Sequence, residues 1–185
     1  MKKAVSLLLL LALVFALAGC DSVPGTGESS GGNTGYPVDG YAEGRMGDTM
    51  HSEFFDYTVN SASVVMDYNG YTPAEGNELL LVEVTILNTF NQSIPMFYND
   101  FQAQWNEDDN EDAFSWPIEQ EGLSEAQLPL EYELAVKESR TGELVFEVPA
   151  GNKDFSLSYL EAFEGDETGD TFFVYFTADR AAANA

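Results

Sequence analysis

Gly76-Asn77-Glu78-Leu79-Leu80-Leu81-Val82-Glu83-Val84-Thr85-Ile86-Leu87-Asn88 is the stretch that decides the fold. Leu80, Val82, Val84 and Ile86 share one parity, and Glu83 and Thr85 share the other. Successive side chains of a strand point to opposite faces, so this pattern predicts a β-strand with one buried face. Val82 and Val84 are expected in the core, Glu83 and Thr85 outside it. Asn88 suits a strand end, where its short polar side chain can satisfy backbone groups.

The same texture recurs on both sides. Phe55, Tyr57 and Val59 alternate upstream, followed by Val64 and Met66. Downstream, Phe101, Ala103 and Trp105 alternate with Gln102 and Gln104, and Phe114 and Trp116 run up to Pro117. Tyr132, Leu134 and Val136 form another alternating set. Leu144, Phe146 and Val148 alternate up to Pro149, which cannot donate to a ladder and should end its strand. Phe155, Leu157 and Tyr159 alternate with Ser156 and Ser158, and 172–176 is an aromatic-rich run. Short strands separated by Gly, Asn, Asp and Pro predict an all-β, immunoglobulin-like sandwich over residues 48–178. Roughly 130 residues suit a single core. The only helix-like stretch is Ser124-Glu125-Ala126-Gln127, whose spacing fits a capping box for one short turn. Both tryptophans, Trp105 and Trp116, are expected in the core.

Gly76–Asn88 resembles the first block of a domain-of-unknown-function family found on many Gram-positive lipoproteins, within the immunoprotective extracellular immunoglobulin-like superfamily. Gly142-Glu143-Leu144-Val145-Phe146-Glu147-Val148-Pro149 resembles the second block, and Asp154-Phe155-Ser156-Leu157-Ser158-Tyr159 the closing strand. Family members often carry Pro-Gly before the second block, where this chain has Lys137-Glu138-Ser139-Arg140-Thr141. The resemblance implies an immunoglobulin-like fold and an extracytoplasmic setting, and supplies no catalytic residues.

The N-terminal region agrees with that setting. Lys2 and Lys3 precede an apolar run from Ala4 to Ala16, and Leu17-Ala18-Gly19-Cys20 follows. The three parts match an export signal, and the run is shorter than the roughly 20 apolar residues that span a bilayer. Residues 1–19 resemble a lipoprotein signal peptide, which implies cleavage before Cys20 and a lipid anchor, with palmitate-type acyl chains, on its sulfur. A diacylglyceryl group supplies the two chains that stable anchoring needs. Residues 20–47, rich in Gly and Ser with no apolar period, read as a flexible tether of roughly 30 Å end to end. Residues 179–185 read as a frayed tail.

The chain carries 7 Lys+Arg against 32 Asp+Glu, a formal charge of −25. Nucleic acid and other polyanions are therefore excluded as partners of the body. With 44% hydrophobic and 13% aromatic residues, the charge does not signal disorder. Cys20 is the only cysteine and His51 the only histidine, so no thiolate or zinc constellation is available. Asn106-Glu107-Asp108-Asp109-Asn110-Glu111-Asp112 is the densest acidic cluster and 164–170 the second. Each reads as a solvated turn. The alternative is a calcium site, with Asp108, Asp109, Asp112, Asp166 and Asp170 as ligands, although no EF-hand spacing is present. Tyr68 and Tyr71 flank Gly70 in a turn and are the candidates for exposed, ligand-stacking aromatics.

These features point to a membrane-anchored, extracytoplasmic module without a cofactor. Its expected role is non-catalytic: binding a surface or secreted protein. A calcium-responsive module is the alternative, and a hydrolase using paired carboxylates is the third reading.

Overall fold

The alternating stretch Asn77–Asn88 forms β4, which lies inside a sheet between two neighbouring strands. The structure is a computed structural model and describes residues 35–106, 113–163, 165 and 167–180. Leu80, Val82, Val84 and Ile86 are each 0% exposed, while Glu83 and Thr85 face outward, as the alternation requires.

Eleven further strands complete the fold: β1 (Tyr41–Arg45), β2 (Thr49–His51), β3 (Phe55–Val65), β5 (Ile94–Phe97), β6 (Phe101–Trp105) and β7 (Phe114–Ser115), then β8 (Glu131–Leu134), β9 (Ser139–Pro149), β10 (Asp154–Phe163), β11 (Glu167–Thr177) and β12 (Asp179–Arg180). One sheet runs β12-β3-β4-β9, with β2 also paired to β3. The other runs β1-β11-β10-β6-β7, and β5 and β8, distant in sequence, form a separate antiparallel pair. The two large sheets enclose a single apolar core, so the molecule is a β-sandwich. At the heart of the core, Phe55, Tyr57, Phe101 and Tyr159 pack as an aromatic cluster, with ring centroids 4.7 Å apart for Phe55–Tyr159 and 5.2 Å for Tyr57–Phe101.

The parity change within β3 has a local cause. Phe55, Tyr57 and Val59 are buried, and then Ala62 and Val64. The register against β4 shifts between Val59 and Ser61, so one inserted residue, Asn60, re-aims the second half of the strand. Pro149 closes β9 as expected. The segment that departs from Pro-Gly follows a tight turn in which Glu138 N donates to Ala135 O at 2.9 Å. Lys137 holds φ +64° at its third position. That is the pattern of a type II turn, where Pro-Gly fits the central pair and Val136-Lys137 must adopt the same path.

Both ends of the domain correct the boundaries drawn from sequence. Residues 41–45, assigned to the tether, form β1 and pair in parallel with β11 from Tyr41↔Thr171 to Arg45↔Tyr175. Its inward residues are Ala42 and Gly44, and a Cβ on Gly44 would come within 2.6 Å of the Met50 sulfur. The space admits only small residues, which leave no apolar signature. Asp179 and Arg180, assigned to the frayed tail, form β12 beside β3. Arg180 grips Glu78 at 2.7 Å and donates to the Asn152 carbonyl at 3.0 Å.

The Ser124–Gln127 signal closes without a helix. Ser124 Oγ accepts from Ala126 N at 3.0 Å and Gln127 N at 3.2 Å, and Gln127 Oε1 accepts from Leu123 N at 3.1 Å. The contacts of a cap are made, and the chain continues as an irregular strap along β9.

Candidate functional site

The two sheets treat their outer faces differently, and the difference locates the site. On the β3-β4-β9 sheet, Leu79 (0% exposed) and Val145 (1%) form a second apolar cluster with Tyr68. Two loops cover it, residues 66–76 and 116–128, which bring Tyr71, Ile118 and Leu123 onto the sheet. The second loop is tied to the edge of β9: Ile118 N donates to Val145 O at 2.8 Å, and Leu128 N to Glu143 O at 3.0 Å.

Tyr68 and Tyr71 belong to this seal, which corrects their reading as exposed aromatics. Tyr68 is 6% exposed, and its hydroxyl meets Ser124 Oγ at 2.6 Å and Glu143 Oε2 at a very short distance. Burial, reinforced by the Glu143 carboxylate, pushes its pKa up to about 12. Tyr71 is half-buried and donates to Glu147 Oε2 at 3.3 Å. Glu147 also accepts from Asn77 Nδ2 at 2.8 Å and Ala74 N at 3.0 Å. The Asn77 hydrogen bond leads in holding its carboxyl below the usual range. The Tyr–Gly–Tyr turn is a latch on the sheet.

Among the described residues, the β1-β11-β10-β6 face carries no such cover. Its inward residues, among them Phe101, Leu157, Phe172 and Val174, belong to the core, so their neighbours point out. Register aligns those neighbours in two rows across the strands. One runs Arg45, Tyr175, Ser156, Gln104 and Phe114; the next runs Glu43, Phe173, Ser158 and Gln102. The serines on the central strand β10 are 7% and 6% exposed, so they form the floor of a trough. Phe173 and Tyr175 stand on one side, with ring centroids 6.2 Å apart and planes within 16°. Gln102 and Gln104 stand on the other, joined by a 3.0 Å hydrogen bond from Gln104 Nε2 to Gln102 Oε1. The Tyr175 hydroxyl donates to Glu43 at 3.1 Å, and partial burial, with that carboxylate beside it, raises its pKa.

One end of the trough opens into a cavity of about 410 Å³ lined by Arg45, Gln104, Trp105, Asp154, Ser156 and Tyr175, among others. Trp105 is partly buried against the core, and its indole N–H is buried without a hydrogen-bond partner beside this cavity. Trp116, expected in the core, is 50% exposed because β7 ends at Ser115, and it packs edge-on against Phe114 at 5.0 Å.

A second cavity, about 440 Å³, is lined by Tyr36, His51, Ser52, Glu53, Glu161 and Asp170 among others. His51 stacks on Tyr36 at 4.1 Å and bonds Asp56 Oδ1 through Nδ1 at 2.9 Å. Ser52 Oγ donates to the Phe55 carbonyl at 2.7 Å, which closes a turn. Glu161, 4% exposed at a bulge in β10, accepts Glu53 N at 2.7 Å and Asp170 N at 3.1 Å. A Cβ on Gly169 would meet its Oε2 at 2.4 Å. These polar groups are committed to turns and to the bulge. Asp170 alone of the five calcium candidates falls here; Asp108, Asp109, Asp112 and Asp166 lie outside the described residues, as does Cys20. Among the described residues no group of three potential metal ligands is gathered, and no helix is long and apolar enough to cross a membrane.

A sequence profile of the family described as a domain of unknown function (DUF4352) matches residues 44–168. No curated protein sequence matches significantly. Among solved structures, the chain is similar to a candidate lipoprotein, ycdA, from Bacillus subtilis subsp. subtilis strain 168, with 18% identity and a TM-score of 0.55. The match covers 70% of this chain and spans only 38% of that one. The yjhA protein of Bacillus subtilis gives 23% identity and a TM-score of 0.53, over 74% of this chain and 99% of that one. At these identities the likeness is one of fold.

Proposed function

The chain belongs to the family described as domain of unknown function DUF4352, and from that premise we propose that it is a lipid-anchored, non-catalytic binding module held outside the cell membrane. The anchor is Cys20, after Leu17-Ala18-Gly19. The likeness in fold to a candidate lipoprotein agrees with that setting. One observation carries the binding role: one outer face is sealed by the chain's own loops, and the other presents aromatic, amide and hydroxyl groups that no described residue covers.

Two experiments test this. Cys20→Ala should release the protein from membranes or leave its signal uncleaved; normal processing with unchanged membrane fractionation would refute the anchor. For the face, a photoreactive benzoylphenylalanine at Phe173 should crosslink to a surface component on intact cells, and the same group at Thr85 should not. Equal yields at both positions would remove the trough as the binding surface.

A further inference from the structure

Resting on that reading of the face, we propose that the trough holds a single strand of a neutral polysaccharide. Its width comes first. Neighbouring strands lie about 4.8 Å apart, so the walls on β11 and β6 stand roughly 9.6 Å apart across β10. That leaves room for one extended polymer over a serine floor.

The lining chemistry selects the polymer. Phe173 and Tyr175 present two nearly parallel rings at a two-residue spacing, a surface for the apolar faces of consecutive pyranose rings. Gln102 and Gln104 each combine an amide donor and an acceptor, which suits neighbouring hydroxyls. Their mutual bond uses one donor and one acceptor, leaving the Gln104 carbonyl and the Gln102 amide hydrogens for a ligand.

Charge narrows the class further. In a chain with 32 acids, the outward positions Gln102, Gln104, Ser156, Ser158, Phe173 and Tyr175 are all uncharged. Among the described residues the charged groups that flank them are Glu43 and Arg45 on β1 and Asp154 at the cavity end. A polyanion would meet the field of a −25 chain with one arginine to offset it, and a polycation finds two carboxylates that already accept hydrogen bonds, Glu43 from Tyr175 and Asp154 from Thr177. A peptide strand is also disfavoured. Peptides that add to a sheet need an open edge, whereas β10 is paired on both sides.

The test uses the full-length lipoprotein in detergent, titrated by calorimetry with cellohexaose, mannohexaose and chitohexaose. Saturable binding to at least one is expected. Tyr175→Ala should weaken it roughly tenfold. Ser156→Trp fills the floor and should abolish it, while Thr85→Ala on the other sheet should leave it unchanged. Because Ser156 is nearly buried, Gln104→Ala at the half-buried wall provides a milder variant, expected to weaken binding several-fold with an unchanged melting temperature. Failure of all three sugars to bind at millimolar concentration, or binding indifferent to Tyr175→Ala and Gln104→Ala, overturns the proposal. The adduct at Phe173 separates this outcome from failure of the binding-face reading. An adduct degraded by glycosidase and resistant to protease supports the sugar. One degraded by protease keeps the face and rejects the sugar.

Discussion

The outer faces of the two sheets lie over the same apolar core, yet one is a second apolar cluster and the other is uncovered among the described residues. On the β3-β4-β9 sheet, Leu79 and Val145 would be exposed apolar side chains without loops 66–76 and 116–128 to cover them. On the β10-β11 face, the equivalent central positions are Ser156 and Ser158, which need no cover. Among the described residues, two loops lie where an apolar face must be hidden and none where the face is polar and aromatic. A surface left bare by its own sequence is available to a partner in a way that a sealed one is not.

The largest test of this contrast is a charge on each face. Leu79→Asp buries an unpaired carboxylate and should cost about 4 kcal/mol or more, enough to unfold many domains. Leu160→Asp, at a position on the bare sheet that is 48% exposed, should cost less than about 1 kcal/mol. Equal losses of melting temperature would erase the distinction. Next in size is the latch. Tyr68→Phe keeps the ring and removes the hydroxyl shared by Ser124 and Glu143, for an expected loss of about 1–2 kcal/mol. Amide exchange should quicken in 117–128 and stay unchanged in β10.

Acid should loosen the two faces unequally. The Glu147 carboxyl is held below its usual range by Asn77, with the Ala74 N–H and Tyr71 also bonded to it. A depressed carboxylate stabilises the fold above its unfolded pKa of about 4.3, and the contribution is lost as pH falls through the folded value. Below about pH 4, residues 71–77 should exchange faster and the sealed face should begin to bind a hydrophobic dye. Asp100 runs the other way. Burial raises its pKa to about 6, so the fold favours its neutral form and loses that contribution as pH rises from about 4 to 6. Asp100→Asn should therefore raise the melting temperature at pH 7.5 and leave it unchanged near pH 3.5. The smallest effect is expected on the bare face. Tyr175→Ala should change stability by less than about 0.5 kcal/mol, since the side chain is 42% exposed. A loss several times larger would make Tyr175 a structural residue and blunt the contrast.

How much of this was legible in the sequence depends on the size of the inward residues. β4, β9 and β10 announce themselves because Leu, Val and Phe alternate with polar residues. β1 does not, because Ala42 and Gly44 fill a space with no room for more, and its glycine reads as linker. Asn60 hid as a break in parity. Tyr68 and Tyr71 misled because a turn with a central glycine implies exposure, and only register against β9 brings Glu143 and Glu147 beneath them. The trough left a signal that alternation alone does not weigh: uncharged outward pairs, Gln102/Gln104, Ser156/Ser158 and Phe173/Tyr175, on three strands of a strongly acidic chain. What a single sequence withholds is which strands lie side by side. Ser156 becomes a floor only once Tyr175 and Gln104 are known to flank it.

The parallel pairing of β1 with β11 has a mechanical consequence. Among the described residues β1 is the first strand from the N-terminal side, and a ligand in the trough would hold the sheet to which it belongs. If the proposed anchor and ligand both hold, tension between them would enter the described chain at Gly35–Tyr36, where the Gly35 carbonyl is bonded to His51 N at 2.9 Å and Tyr36 lies on the His51 ring. Beyond that clasp, a pull along β1 loads the ladder from Tyr41↔Thr171 to Arg45↔Tyr175 lengthwise. Its bonds must then slide together instead of peeling one by one. On the proposed function, the same short strand that carries no apolar signature would join anchor to ligand, and its strength under shear would set the force the attachment can transmit.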